Sequence, residues 1–304
     1  MFSSLKQSKP LLNIFSMEPN MKTIKVIECP RDAMQGWKRQ IPTTQKIVYL
    51  KQLLEVGFDT LDFGSFVSPK AIPQMADTEL VYRALEEHHS STKLLAIIAN
   101  LRGAEKAVTF ERIEYLGFPF SISETFQQRN TNISIEEAFK TVEAIQALCL
   151  KNNKTLVVYF SMAFGNPYGD AYNTEIVAFW TKKMADIGIN IIALSDTVGL
   201  ADSSIISSLF KDLITAYPTI AFGGHFHARA DTWLPKIKAA YEAGCTRFDG
   251  AIGGFGGCPM AEDELVGNIN TQKLIEYFKS QSIDLGINLS AFNKAVQQSW
   301  EVFV

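Results

Sequence analysis

The stretch TIAFGGHFHARADTWLPKIKAAYEAG, Thr219 to Gly244, decides the fold. Its first half is a short apolar run ending in two histidines, and its second half is amphipathic. TIAFGGHFH reads as a buried strand and TWLPKIKAAYEAG as the helix after it. A strand sends alternate side chains to one face, so His225 and His227 leave the strand end in the same direction. One strand can thereby supply two ligands of one metal ion. Two polar residues can equally just mark a strand end, so the rest of the chain has to decide.

The same unit recurs on both sides. TIKVIEC (23–29) reads as a strand and TTQKIVYLKQLLEVG (43–57) as a helix, starting at Thr43 or Thr44 after Pro42, with Gly57 suited to its C-terminal cap. TLDFGSF pairs with TELVYRALEEHH, and KLLAIIAN with RGAEKAVTFERI. YLGFPFSIS pairs with SIEEAFKTVEAIQALCLKNN, whose Ser134 and Glu137 match a capping box. TLVVYFSM precedes NTEIVAFWTKKMADIG, NIIALSD precedes ADSSIISSLFKDLITAY, and TRFDGAIGG precedes NTQKLIEYFKS. Strands apolar on both faces, each followed by a helix, imply a parallel sheet covered by helices. Eight such units close a (β/α)8 TIM barrel. A doubly wound open sheet usually has fewer strands, and no glycine-rich dinucleotide turn follows the first strand here. The expected fold is therefore a single α/β barrel domain over 23–304. A short helix in INLSAFNKAVQQSWEVFV extends it, and an irregular extension over 1–22 precedes it.

Composition narrows the class. The chain has 304 residues, 47% hydrophobic and 20% charged, with a formal net charge of -3. Scattered Lys and Arg give no electrostatic footprint for nucleic acid. No run approaches the ~18 apolar residues of a membrane span. Cys29, Cys149, Cys245 and Cys258 are widely separated without CxxC spacing, which points to a reducing compartment rather than a disulfide scaffold. MFSSLKQSKPLLNIFSMEPN at the N-terminus has two lysines and no arginine, so a cytoplasmic location is expected. A transit peptide leading to the mitochondrial matrix is the alternative.

Barrel active sites lie where strands end and loops begin. Those places carry Arg31 and Asp32, Asp62, Ser123 and Glu124, Ser195–Thr197, His225 and His227, then Cys258 and Asn268 in GGFGGCPMAEDELVGN. Asp32, His225, His227 and the Asn268 amide oxygen would make a mixed nitrogen and oxygen site. Hard oxygen ligands favour Mg2+ or Mn2+, and the imidazoles tilt it toward Mn2+, Zn2+ or similar ions. Such an ion acts as a Lewis acid on a hydroxyl or carbonyl, and Arg31 could stabilise an enolate oxyanion. Cys258 could give or take a proton, whereas Cys149 and Cys245 read as small hydrophobes. Glu124 reads as a helix cap.

ECPRDAMQ, SFVSPKAIPQM, SISETFQQRNTNISIEEAF, LSDTVGLA, HFH and GFGGCPMAEDELVGN together resemble the 3-hydroxy-3-methylglutaryl-CoA lyase family of metal-dependent TIM-barrel enzymes, in order from Ile24 to Phe278. The resemblance implies retro-Claisen cleavage of (S)-3-hydroxy-3-methylglutaryl-CoA into acetyl-CoA and acetoacetate, as in leucine degradation, by a homodimer. It implies that Asp32, His225, His227 and Asn268 hold the divalent ion and that Asp32 or His225 is the base. Arg31 would stabilise the enolate and Cys258 help protonate it. Asp62 stands where the family has a functional glutamate, Asp196 matches an aspartate near the acyl group, and Lys38 is a candidate partner of the CoA phosphates.

Several positions depart from the family pattern. Ala33 replaces a glycine, Asp62 is one methylene shorter than glutamate, and the loop from Cys258 to Asn268 is one residue longer. Gln272 replaces an acidic residue, and no aspartate follows His227. These departures keep open a lyase acting on another 3-hydroxy-acyl-CoA. A Claisen-condensing acyl-CoA/2-keto acid synthase of the same superfamily is a further alternative, against which the GGCP cysteine and the missing C-terminal region count.

Overall fold

Ile191–Asp196 (β6) is buried along its whole length, as a strand covered on both faces must be. Its neighbours are Thr155–Ser161 (β5) and Ala221–Ala228 (β7), both parallel to it. The sheet continues through Ile113–Ser121 (β4), Lys93–Ile97 (β3), Thr60–Ser65 (β2), Lys25–Glu28 (β1) and Arg247–Gly250 (β8), all parallel. β8 pairs with β7 and β7 with β6, so the eight strands close on themselves. The expected TIM barrel is what the chain forms. The structure is a computed structural model, which describes residues 23–257 and 266–303.

Helices follow the strands as the apolar periodicity predicts: Thr43–Leu54 (α2), Thr78–Leu85 (α3), Leu101–Ala107 (α4), Ile135–Lys151 (α6), Thr174–Asp186 (α7), Ser203–Ala216 (α8), Trp233–Glu242 (α9) and Thr271–Ser280 (α10). The Ser134–Glu137 capping box closes reciprocally at the start of α6, worth about 1 kcal/mol. Two further short helices stand at the strand ends, Pro30–Gln35 (α1) and Glu124–Thr131 (α5). Ser123 is the side-chain cap of α5, and Glu124 sits in its first turn.

The C-terminal helix, Leu289–Val302 (α11), packs against α2. Phe303 beyond its end stacks on Phe255 with ring centroids 4.6 Å apart and meets Trp37 edge-on. The extension therefore braces the glycine-rich loop after β8, close to the site. None of the described helices is long and apolar enough to cross a membrane.

Candidate active site

The C-terminal rim of the barrel opens into a cavity of about 360 Å3. Arg31, Asp32, Asp62, His225 and His227 all line it. One donor atom each from Asp32, His225 and His227 fall within 4.8 Å of one another. The HxH pair thus points into one cavity, together with an aspartate from a different element.

Asn268 reaches this group by a device that periodicity does not reveal. Gly267–Asn268 (β9) pairs antiparallel with β7, setting Asn268 opposite His227. Its Nδ2 donates to Asp32 Oδ2 at 2.6 Å and to the Phe255 carbonyl at 2.9 Å, which leaves Oδ1 as its acceptor. The close approach explains a glycine: a Cβ on Gly256, at φ +94°, would stand 2.6 Å from Asn268 Nδ2 and 3.0 Å from the Asp32 carbonyl oxygen.

Each histidine has its second nitrogen fixed. His225 Nδ1 lies 3.0 Å from Asp249 Oδ2, and His227 Nδ1 lies 2.9 Å from the Thr197 carbonyl oxygen. Both bonds place the proton on Nδ1 and leave Nε2 with its lone pair, the arrangement found behind metal-bound imidazoles. His227 Nε2 is buried and has no partner among the described residues. Burial, with the neighbouring His225, pushes the His227 imidazole down to about 4, so it is neutral at physiological pH. Burial opposes charge on His225 as well, but Asp249 and Asp32 outweigh it and raise that ring. A buried, partnerless imidazole nitrogen facing a carboxylate and a second imidazole fits a divalent ion.

Arg31 and Asp62 form a bidentate pair, with Nε 3.0 Å and Nη2 2.5 Å from Asp62 Oδ2. Arg31 Nη1 donates to Asp32 Oδ1 and Gln35 Oε1, and Gln35 Nε2 in turn donates to Asp32 Oδ1. Four of the five guanidinium N–H groups are thereby used, leaving one Nη2 hydrogen for a ligand in the cavity. Burial raises Asp62 to about 6 against the pull of Arg31. Burial also works against charge on Asp32, but Arg31, His225 and His227 prevail and hold it below its usual range.

Other expected residues lie elsewhere. Asp196 does not line the cavity: next to Ser195 in β6, its side chain faces outward to a buried ion pair with Lys236 and accepts from the Ala201 backbone. Lys38 is exposed on the turn after α1 and lines no part of the cavity. Cys258 and the 1–22 extension fall outside the described residues. Asp249, Gln35, Tyr159 and Lys236 were not singled out from the sequence. Asp249 ends a strand in RFDG, a position that could have flagged it. Lys236, on α9, bonds to Asp196 and to the carbonyls of Gly199 and His227, and nothing in its helical pattern marks it as buried.

A closed parallel barrel whose C-terminal rim carries a histidine–histidine–carboxylate group able to hold a metal ion is the architecture of a TIM-barrel enzyme. A family model described as HMGL-like matches residues 24–298, and the chain belongs to that family of carbon–carbon lyases. It is 32% identical to human mitochondrial hydroxymethylglutaryl-CoA lyase, over 92% of this chain and 86% of that one. It is 30% identical to hydroxymethylglutaryl-CoA lyase YngG of Bacillus subtilis, over 92% of each chain. Among solved structures, the HMG-CoA lyase of Brucella melitensis superposes with a TM-score of 0.86 at 25% identity, covering 93% of this chain and 99% of that one. An HMG-CoA lyase from Acinetobacter baumannii, in complex with coenzyme A and 3-methylmalate, gives 0.85 at 29% identity over 93% and 92%.

Proposed function

We propose that the protein cleaves (S)-3-hydroxy-3-methylglutaryl-CoA into acetoacetate and acetyl-CoA in a divalent-metal-dependent retro-Claisen reaction. The observation that carries this reading is the partnerless Nε2 of His227, held beside His225 and Asp32 in the cavity that Arg31 also lines. Asp32, His225, His227 and the Asn268 amide oxygen would hold the ion, Mg2+ or Mn2+. When bound, the ion supplies Lewis-acid polarisation of the C3 hydroxyl and makes its proton easier to remove.

The chain's own residues do the rest. Asp32 takes the C3 hydroxyl proton, while His225, its Nδ1 hydrogen held by Asp249 and its Nε2 lone pair turned to the ion, stays a ligand. The C2–C3 electron pair leaves as the new C3 carbonyl forms, giving acetoacetate and the acetyl-CoA enolate. The remaining Nη2 hydrogen of Arg31 donates to the enolate oxygen, and Asp62 keeps the guanidinium in place. Cys258 returns a proton to the enolate carbon. The cysteine and the CoA-bound relative support this reading over a condensing synthase.

A second reading keeps the chemistry and changes the acyl group. A relative in Pseudomonas aeruginosa, 29% identical, is named for both 3-hydroxy-3-isohexenylglutaryl-CoA and hydroxymethylglutaryl-CoA. The apolar side chains of Val67, Ile72, Ile97 and Phe126 in the cavity would receive a longer C3 substituent. Incubation with (S)-3-hydroxy-3-methylglutaryl-CoA, followed by chromatography, tests the assignment. Equal amounts of acetoacetate and acetyl-CoA are expected, and recovery of intact substrate alone would overturn it.

A further inference from the structure

Lys236 is a buried ammonium that serves no need of its own helix. It is the fourth residue of α9, near the helix end where the dipole disfavours a cation, and it is 4% exposed. Its Nζ donates to Asp196 Oδ2, to the Gly199 carbonyl at 2.9 Å and to the His227 carbonyl at 3.1 Å. An ammonium has three N–H groups, so all of them are used.

Each acceptor belongs to the frame that holds His227. The parallel ladder of β6 and β7 ends at the Asp196–Phe226 pair, one residue short of His227. β8 pairs with β7 only at Gly223 and Gly224, which leaves the two-residue β9 as the strand beside His227. Lys236 thus bonds the His227 carbonyl where the ladder with β6 has stopped. The other two acceptors bracket Thr197. Asp196 and Gly199 are the ends of the turn after β6, closed by the Gly199 N–H donating to the Asp196 carbonyl at 3.2 Å. Inside that turn, the Thr197 carbonyl holds His227 Nδ1 and the Thr197 hydroxyl accepts from the Met162 backbone at 2.9 Å. One side chain from the following helix therefore ties the backbone of His227 to the turn that orients its ring.

We propose that Lys236 is a positioning residue: it fixes the His227 backbone against the Thr197 turn and so aims His227 Nε2 at the metal position. It acts through His227 and lies outside the cavity lining. This rests on the reading of Asp32, His225 and His227 as the metal-binding group and adds the support behind it. Groups that hold a ligand from behind set its geometry, and losing one loosens the ion.

Mn2+ titration followed by electron paramagnetic resonance tests this, with the free-ion signal giving affinity and the bound-ion spectrum reporting ligand geometry. Lys236→Met and Lys236→Met/Asp196→Asn both lack the ammonium but differ in stability, since only the first leaves Asp196 unpaired. Both should bind Mn2+ at least about tenfold more weakly than the wild type, with an altered bound-ion spectrum. Ile145→Ala is the control for stability alone: Ile145 is fully buried on α6, and its loss destabilises the core without touching β7. At a temperature where thermal melts show each protein folded, it should keep native affinity. If Lys236→Met does not fold, the double variant and Ile145→Ala carry the test. Native Mn2+ affinity in the double variant would overturn the proposal, and an equal loss in Ile145→Ala would do the same by tying the effect to stability. A wild type that binds no Mn2+ would overturn the metal-site reading as well.

Discussion

His227 Nδ1 lies 2.9 Å from the carbonyl oxygen of Thr197, a contact that settles which nitrogen faces the cavity. A carbonyl only accepts, so Nδ1 carries the hydrogen and the buried, partnerless Nε2 keeps its lone pair. Leaving such a group unpaired costs about 1–3 kcal/mol, which coordination would offset. His227→Ala should therefore weaken Mn2+ binding by more than the ~10–100-fold that losing an outer partner costs. Electron paramagnetic resonance of free Mn2+ checks this. Unchanged binding would remove His227 from the ligand set.

Asp249 stands one step behind the proposed ligands. Its carboxylate holds His225 Nδ1 at 3.0 Å and raises the basicity of the ring. Asp249→Asn should lower metal affinity about 10–100-fold while keeping the fold, because the asparagine occupies nearly the same volume. Calorimetric Mn2+ titration beside a thermal melt separates the two effects, and a variant with native metal affinity would contradict the role.

The strands, their order and the His225–His227–Asp32 group were legible in the sequence because each leaves a local trace. Apolar runs bounded by turns mark β1 to β8, and histidines two apart on a strand must share a face. What was not legible depends on long-range pairing. β9 is two residues long and has no periodicity, yet it brings Asn268 to His227. Its place in the glycine-rich loop after the eighth strand, together with the motif resemblance, marks Asn268 as a candidate ligand, though no periodicity shows how it gets there. Lys236 occupies a position in WLPKIKAAYE that reads as half exposed, and only the third dimension shows its ammonium buried against Asp196. The resemblance puts Asp196 near the acyl group, but strand alternation turns its side chain to Lys236, and Ser195 beside it lines the cavity instead. α1 went unread since its six residues begin with Pro30 and are too short to show a face.

Lys236 and Asp196 form an ion pair that is almost wholly buried, and Lys236 also bonds to the His227 carbonyl. Removing one partner of such a pair leaves an uncompensated charge, so Lys236→Met should destabilise the protein by about 3–5 kcal/mol. Adding Asp196→Asn should restore part of that loss. Denaturant unfolding of the two variants provides the check; an equally unstable double variant would show that the pair is not the cause.

Glu28 on β1 predicts a pH dependence. Its carboxyl is fully buried, accepting from the Ile252 backbone at 2.8 Å and the Thr271 hydroxyl at 2.6 Å. Burial raises it to about 8, with those two hydrogen bonds opposing. The folded chain therefore holds a proton that the unfolded chain releases near 4.5. The stability contribution is complete below pH 4.5 and is lost progressively as pH rises to about 8, a change of up to roughly 5 kcal/mol. Glu28→Gln, neutral throughout, should flatten this slope. Urea midpoints across that range measure it, and identical slopes in the two proteins would contradict the assignment.

The most direct test of the central claim is acetoacetate formation from (S)-3-hydroxy-3-methylglutaryl-CoA by protein first stripped with a chelator, then supplied with Mg2+ or Mn2+. The account predicts no cleavage by the stripped protein and restored formation of acetoacetate and acetyl-CoA on adding either ion. Cleavage at the same rate without any divalent ion would contradict it.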